Sequence, residues 1–370
     1  MNIIFSKLLE QFPNVIESPF LIWEMLKMLC VGIKGESGIE LRTFLKLIEP
    51  EMEITDRHLE ELNLRYMLPA NMEYTNGHMK TAANQRILTI ANRIFIKSGT
   101  RLKGSFLETL QKQYSCGVQE VNFGERHQAA DVINKWVRQA TNERITGIIS
   151  PNDVGVDTQT VLANAIYFKA KWQHQFDQID TRQREFYISA EQSLPVAMMN
   201  QTMTVLYGYL QEHQVQVIKL PYRNTDLAML VMLPNEAADL AQVAQLKLCD
   251  VIDQLVFRKV DVHLPRFTFN CTVNVHNLLM ECGVRGIFHA NQDLNGILTE
   301  NASNFGISKI IQQAYINVTE EGTEAAAATA CCIDGVVSFE EQFIANRPFY
   351  FCIKNSHNLK LFEGCFRQPI

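Results

Sequence analysis

Residues 313–322 read QAYINVTEEG, and their strict alternation does not stop where the strand ought to end. Ala314, Ile316 and Val318 fall on one side and Tyr315, Asn317 and Thr319 on the other, the period of a half-buried strand. The chain then meets Gly322, and the same period runs on through TEAAAATACC. Thr323, Ala325, Ala327 and Thr329 share one face; Glu324, Ala326, Ala328 and Ala330 share the other. Ala and Glu are strong helix formers. Yet a lone helix of about a dozen residues is marginal in water, and this one has no apolar stripe with which to dock. The fold must therefore supply a long strand and, directly after it, leave a small, weakly committed segment able to be loop, helix or strand.

The other periodic stretches predict a molecule built on sheets. RILTIANRIFIK (86–97) and TVLANAIYFKAKW (160–172) read as buried, β-branched and aromatic strands. VIKLPY and LAMLVMLP flank the turn RNTD, and RPFYFCIKNSHNLKLFEGCF turns at NSHN, so both are hairpin signals. KVDVHLPRFTFN alternates. Helices gather early. FSKLLEQF is a short first one. SPFLIWEMLKMLCVGIKG opens on a Ser-Pro cap and ends at Gly32 and Gly35. ADVINKWVRQATNERI carries Val132, Trp136, Val137 and Ala140 on one stripe. Early helices and later strands predict a mixed α+β chain with largely antiparallel sheets.

Composition excludes several classes. At a net charge of −6, with no basic block, the chain has no electrostatic footprint for nucleic acid. No apolar run approaches the roughly 18 residues of a membrane helix, and Lys7 and Glu10 break the N-terminal apolar stretch, so no export signal is read. No linker or repeat divides the 370 residues, which points to one domain. Nine cysteines, an odd number with no CxxC pair, fit free thiols in a reducing compartment rather than zinc or a disulfide framework. Asn200, Asn270, Asn301 and Asn317 open N-x-S/T sequons, which arise readily by chance. HExxH, GxSxG and GKS/T are absent and the nine histidines are dispersed, so neither an enzyme nor a metal site is expected.

Eight stretches in order resemble the serpin family: NVIESPF, INKWVRQATNERI, LANAIYFKAKW, KLPYRN with LAMLVMLPNE, HLPRFTF, EEGTEAAAAT, RPFYFCI and FEGCF. The resemblance implies one serpin domain over 1–370, with three β-sheets, eight or nine helices and an exposed reactive-centre loop at about 322–346. It implies a suicide-substrate inhibitor. A serine protease, sometimes a cysteine protease, attacks the loop and forms an acyl-enzyme. The severed loop then enters the largest sheet as a new central strand, and the tethered protease is distorted. The segment Thr323–Val336 is 14 residues long, about 45 Å when extended. Such a molecule is metastable, held by kinetics. The alternative is a family member that kept the fold for binding or storage.

The resemblance also implies site residues. The hinge is Glu320, Gly322, Thr323, Glu324, Ala325, Ala326, Ala327, Ala328 and Thr329, whose small inward side chains favour the inhibitory type. The scissile residue falls at Val336, followed by Val337, with Val337 itself and Gly335 as near alternatives and Phe339 as a more remote one. No Lys or Arg lies between Gly322 and Asn346. A trypsin-like pocket, whose buried carboxylate needs a cation, is thereby disfavoured; an elastase-like target comes first and a chymotrypsin-like one second. The sheet-opening region is Ser18, Leu21, Asn164, Trp172 and Gln312. Leu21 replaces a small hydroxyl residue common in the family, and Gln312 replaces a common histidine, so a side-chain amide stands in for the usual ring. Cys331 and Cys332 sit in the loop, where oxidation would obstruct insertion. The region 57–86 holds only Arg57, Arg65, Lys80 and Arg86 among acids, which argues against heparin. The expected molecule is a monomer without cofactor, nucleic-acid or membrane partner. It is secreted by family habit, with cytoplasm as the alternative.

Overall fold

The computed structural model describes residues 3–48, 87–235, 240–289, 292–299, 305–323 and 341–369, together with the backbone of a small ribbon, β2 (Tyr74–Thr75) and β3 (His78–Met79). The chain opens with α1 (Ile3–Gln11), β1 (Val15–Glu17), α2 (Pro19–Gly32) and α3 (Gly35–Ile48). The predicted Ser-Pro start is the one found. Ser18 is extended, its side chain accepts from the Leu21 N–H, and Pro19 takes the first helical position. Further helices are α4 (Gly104–Tyr114), α5 (Arg126–Ala140), α6 (Leu240–Ala244), α7 (Leu248–Ile252) and α8 (Val275–Glu281). Eight α-helices among the described residues, with several sheets, bear out the α+β reading.

The main sheets share no strand. Seven strands form one, in the order β5 (Gly117–Val121), β4 (Leu88–Lys97), β6 (Thr160–Phe168), β14 (Lys309–Thr319), β15 (Gly322–Thr323) and β7 (Ala170–Lys171), with β13 (Phe267–Asn274) along the other edge of β14. Nine form the other. β1, β18 (Lys360–Phe366), β17 (Phe349–Lys354), β11 (Ala228–Pro234), β10 (Val215–Pro221), β9 (Ser193–Leu210), β12 (Val256–Pro265) and β16 (Glu341–Ile344) follow one another, and β8 (Arg182–Tyr187) pairs with β9. Both predicted hairpins are present, β10 with β11 and β17 with β18, each antiparallel. Most pairings are antiparallel; β4 with β5, β12 with β16 and β6 with β14 run parallel.

The sheets meet through aromatic side chains. Phe267 and Phe269 of β13 reach Phe349 and Phe351 of β17 and Phe366 of β18, with ring centroids 4.9–6.5 Å apart. The seven-stranded sheet is covered on both faces. Ile94, Leu162, Ile166, Ile310 and Ala314 face the main core with α2, while Phe95, Val161, Ala163, Ala165 and Ile311 face a smaller one beneath α5. The α5 stripe differs from the predicted one. Val137 is common to both, but the buried line runs through Ala129, Ala130 and Ile133, and Val132, Trp136 and Ala140 pack at its edge.

Phe351 is wholly buried in the aromatic junction, whereas Phe257 is 73% exposed. Phe351→Ala is expected to lower stability by about 3–5 kcal/mol in urea unfolding, with Phe257→Ala nearly neutral.

Candidate functional site

The seven-stranded sheet holds a seam and a wedge. β6 and β14 lie side by side in parallel, Val161–Tyr167 opposite Lys309–Tyr315. Beyond Tyr315 they part, and β15 enters the gap. Gly322 and Thr323 pair with Thr319 and Val318 on one side, and with Lys171 and Ala170 on the other, antiparallel to both. The segment after the long strand has therefore already begun a strand between two others. Gly322 allows this turn: its φ is +153°, and a Cβ there would meet the Ala170 carbonyl oxygen at 2.1 Å.

The segment following β7 grips this turn. The Trp172 N–H donates to the Glu321 carbonyl at 2.9 Å and the Phe176 N–H to that of Glu320 at 2.8 Å. The Trp172 indole donates to the Thr319 carbonyl at 3.0 Å and stacks on Tyr222 at 4.5 Å. Thr323 is fully buried, its hydroxyl hydrogen-bonded to that of Tyr222 at 2.9 Å. Burial holds the Tyr222 phenol well above its ordinary pKa, so it keeps its proton. The Glu320 carboxylate, 4% exposed, accepts from Thr181 at 2.9 Å and lies 3.6 Å from the Arg266 guanidinium.

Further along the seam the sheet carries a row of side-chain amides. Asn92 pairs with Asn164 across β4 and β6, and Asn164 with Gln312 across β6 and β14. Asn164 donates to the Asn92 carbonyl oxygen, while its own Oδ1 is buried with no hydrogen-bond partner among the described residues. Gln312 clamps the cap of α2: its Oε1 accepts from the Ser18 N–H at 2.8 Å and its Nε2 donates to the Ser18 carbonyl at 3.1 Å. At the other end of the row, Asn92 is hydrogen-bonded to the Glu24 carboxyl of α2. Burial raises Glu24 from the usual carboxylate range to about 8, against weaker opposing effects of Asn92 and Lys27.

The family model for Serpin (serine protease inhibitor) matches residues 4–369. The chain is a serpin. It is similar to the leukocyte elastase inhibitor of Sus scrofa, with 31% identity over 99% of this serpin and 96% of the relative. It is similar to antichymotrypsin-2 of Bombyx mori, with 32% identity over 75% and 76% of the two chains. The crystal structure of Serpin48, described as a highly specific serpin of the insect Tenebrio molitor, superposes with a TM-score of 0.82 at 27% identity, covering 100% of this serpin and 95% of that chain. The family model thus describes inhibitors of serine proteases rather than enzymes.

The sheet-opening residues named from this serpin's sequence fall into two places. Ser18, Asn164 and Gln312 come together, with Leu21 fully buried beside Ser18 and bonded to it only through its backbone N–H. Trp172 stands eight residues beyond Asn164, about 26 Å along the strand, and belongs with the hinge. Glu320, Gly322 and Thr323 lie at the wedge. Glu324, Ala325, Ala326, Ala327, Ala328, Thr329, Cys331, Cys332, Gly335, Val336, Val337 and Phe339 lie outside the described residues, as do Arg57, Arg65, Lys80 and Arg86.

Sequence reasoning missed Tyr222, Thr181 and Arg266 at the hinge, and Asn92 and Glu24 at the amide row. Only Glu24 carried a usable signal, an acid inside FLIWEMLKML. Gln312→Leu would leave the buried Ser18 N–H without its acceptor. A loss of about 1–3 kcal/mol is expected in urea unfolding, partly restored in Gln312→His.

Proposed function

We propose that this serpin is a suicide-substrate inhibitor of serine proteases whose severed loop fills the seam between β6 and β14. The observation that carries the proposal is the wedge: a strand start already paired on both edges, at the mouth of a seam that is closed by direct pairing below it. Both ladders extend without conflict. Continuing the pairing of Thr323 with Val318 brings Ala325 opposite Ile316, Ala327 opposite Ala314 and Thr329 opposite Gln312. Continuing its pairing with Ala170 brings Thr329 opposite Asn164. The two registers agree because Asn164 and Gln312 are already partners.

Insertion exchanges one parallel ladder for two antiparallel ones, each hydrogen bond contributing about 1 kcal/mol net. Side-chain size decides whether it proceeds. Ala325, Ala327 and Thr329 share the inward face of Thr323, and on the face toward α5 Glu324 at the mouth is followed by Ala326 and Ala328, so beyond Glu324 small groups pass on both sides. The Thr329 hydroxyl arrives beside the buried Asn164 Oδ1 that lacks a donor.

Cleavage at Val336–Val337 suits an elastase-like protease first and a chymotrypsin-like one second. The absence of cations between Gly322 and Asn346 supports this order, as do relatives named for elastase and for chymotrypsin. The molecule acts as a single domain and a monomer, without heparin. Of the two locations, the cytoplasm has the better support: seven cysteines, Cys30, Cys116, Cys249, Cys271, Cys282, Cys352 and Cys365, are free among the described residues.

Two measurements test the reading. Intact protein and protein nicked in the loop are compared in thermal melting, and the nicked form is expected to melt well above the intact one; equal values refute insertion. Incubation with an elastase-like, a chymotrypsin-like and a trypsin-like protease is expected to give a complex that survives a denaturing gel with the first two. Cleavage of the loop without any complex favours a binding or storage role, and a complex with a cysteine protease alone shifts the target class. Thr323→Arg, which would bury a guanidinium against Tyr222, is expected to turn the inhibitor into a substrate, read as an excess of cleaved over complexed protein.

A further inference from the structure

A cavity of about 500 Å³ lies between the two main sheets. One wall is β13 and β14 of the seven-stranded sheet; the other is β8, β9 and β18 of the nine-stranded one. A backbone bond ties the walls together, the Arg266 N–H donating to the Ala197 carbonyl at 2.8 Å. The volume falls within the range of small-molecule sites. No residue of β6 or β15 lines the cavity, so it is separate from the seam and the wedge.

The free polar groups of the lining are donors. Arg266 is the one charged residue among the described lining, and its side chain is about half exposed. The guanidinium lies 3.6 Å from the Glu320 carboxylate, beyond hydrogen-bonding range, and makes no side-chain hydrogen bond among the described residues. Glu320 is buried, held by Thr181 and absent from the lining, so it steadies the guanidinium and leaves the fork of N–H groups to the cavity. Asn317 stands opposite Thr268 across β13 and β14, and the Thr268 hydroxyl donates to its Oδ1 at 2.6 Å. That bond occupies the amide oxygen and leaves the Asn317 Nδ2 as a donor. The Thr319 hydroxyl is spent on the Gly322 carbonyl at 3.1 Å. The Gln183 amide on β8 carries no hydrogen bond among the described residues.

The rest of the lining is apolar. Pro195 and Val196 of β9 stand beside the stacked rings of Phe267 and Phe366, whose centroids are 4.9 Å apart. A guanidinium fork and an amide N–H suit a carboxylate, and such charge-assisted bonds are about twice as strong as neutral ones. The apolar wall rewards a hydrocarbon body attached to it. A divalent cation has no ligand here, since the lining holds no carboxylate, thiol or imidazole. A phosphate monoester would bring nearly two charges against one cation that already has Glu320 beside it.

We propose that this cavity binds a small amphipathic carboxylate, its carboxylate on Arg266 and Asn317 and its apolar body against Val196, Phe267 and Phe366. The site is independent of loop insertion. An occupant touches both sheets, so it stabilises the folded protein by mass action.

The test titrates the full chain with phenylpropionate, phenylpropanol, phenylpropylamine and acetate, read by calorimetry and by thermal melting. Phenylpropionate is expected to saturate a single site, to raise the melting temperature, and to bind about ten- to a hundredfold more tightly than the alcohol or acetate. The amine is expected not to bind. Arg266→Gln is expected to weaken phenylpropionate by about tenfold or more. Asn317→Asp keeps an acceptor for Thr268 but sets a carboxylate in place of the Nδ2 donor. It is expected to weaken the acid and admit the amine, a reversal of preference that general loosening of the fold would not produce. Absence of saturable binding, equal binding of acid and alcohol, or an unchanged ranking in Asn317→Asp overturns the proposal. Should Arg266→Gln not fold, Asn317→Asp decides.

Discussion

The pairing of β6 directly against β14 is the constraint on which the rest of the molecule turns. Two strands that run the same way, distant in the chain, are joined along seven residue pairs with no strand between them. Everything nearby is arranged about that contact. The main core and α2 lie under it, α5 and the smaller core over it, and the hinge stands at its open end. A parallel pair is slightly weaker per residue than an antiparallel one. The sheet thus has its weaker kind of joint where a strand of opposite direction would fit.

Buried polar groups mark the same place. Asn164, Gln312, Ser18, Thr323 and Glu320 are all nearly inaccessible, and apart from Tyr222 and Arg266 their side-chain partners lie within this sheet, α2 or the segment after β7. Such groups are costly to bury and fix geometry more than they stabilise it. The aromatic junction of Phe267, Phe269, Phe351 and Phe366 holds the two sheets together by bulk alone. The amide row joins three strands and the cap of α2 through directional bonds instead.

Much of this was legible in the chain. Period-two alternation located β14, and the turn residues located both hairpins, because those signals are local. The cap of α2 was legible for the same reason. The family resemblance supplied what periodicity does not, the several-sheet fold and the grouping of Ser18, Asn164 and Gln312. Other features escaped because they depend on packing. The buried line of α5 runs through Ala129 and Ile133 beside the predicted stripe, because the way the helix sits on the sheet sets which face is innermost. Trp172 joined the hinge, although its motif also contains Asn164. Asn92 and Glu24 come from separate elements, and only the folded sheet lays them end to end.

The wedge at Gly322 and Thr323 has a consequence for how such a chain can vary. Its first rung is fixed on both edges, so in the inserted form proposed above every later residue of the segment would take a set face and a set neighbour. Exchanging one small residue for another leaves that assignment intact. Losing or gaining a single residue before Thr329 would turn the alanines over and carry the threonine away from the amides. A lineage descending from this chain is therefore free to change letters there but bound to keep count, and latitude in length begins only past the row.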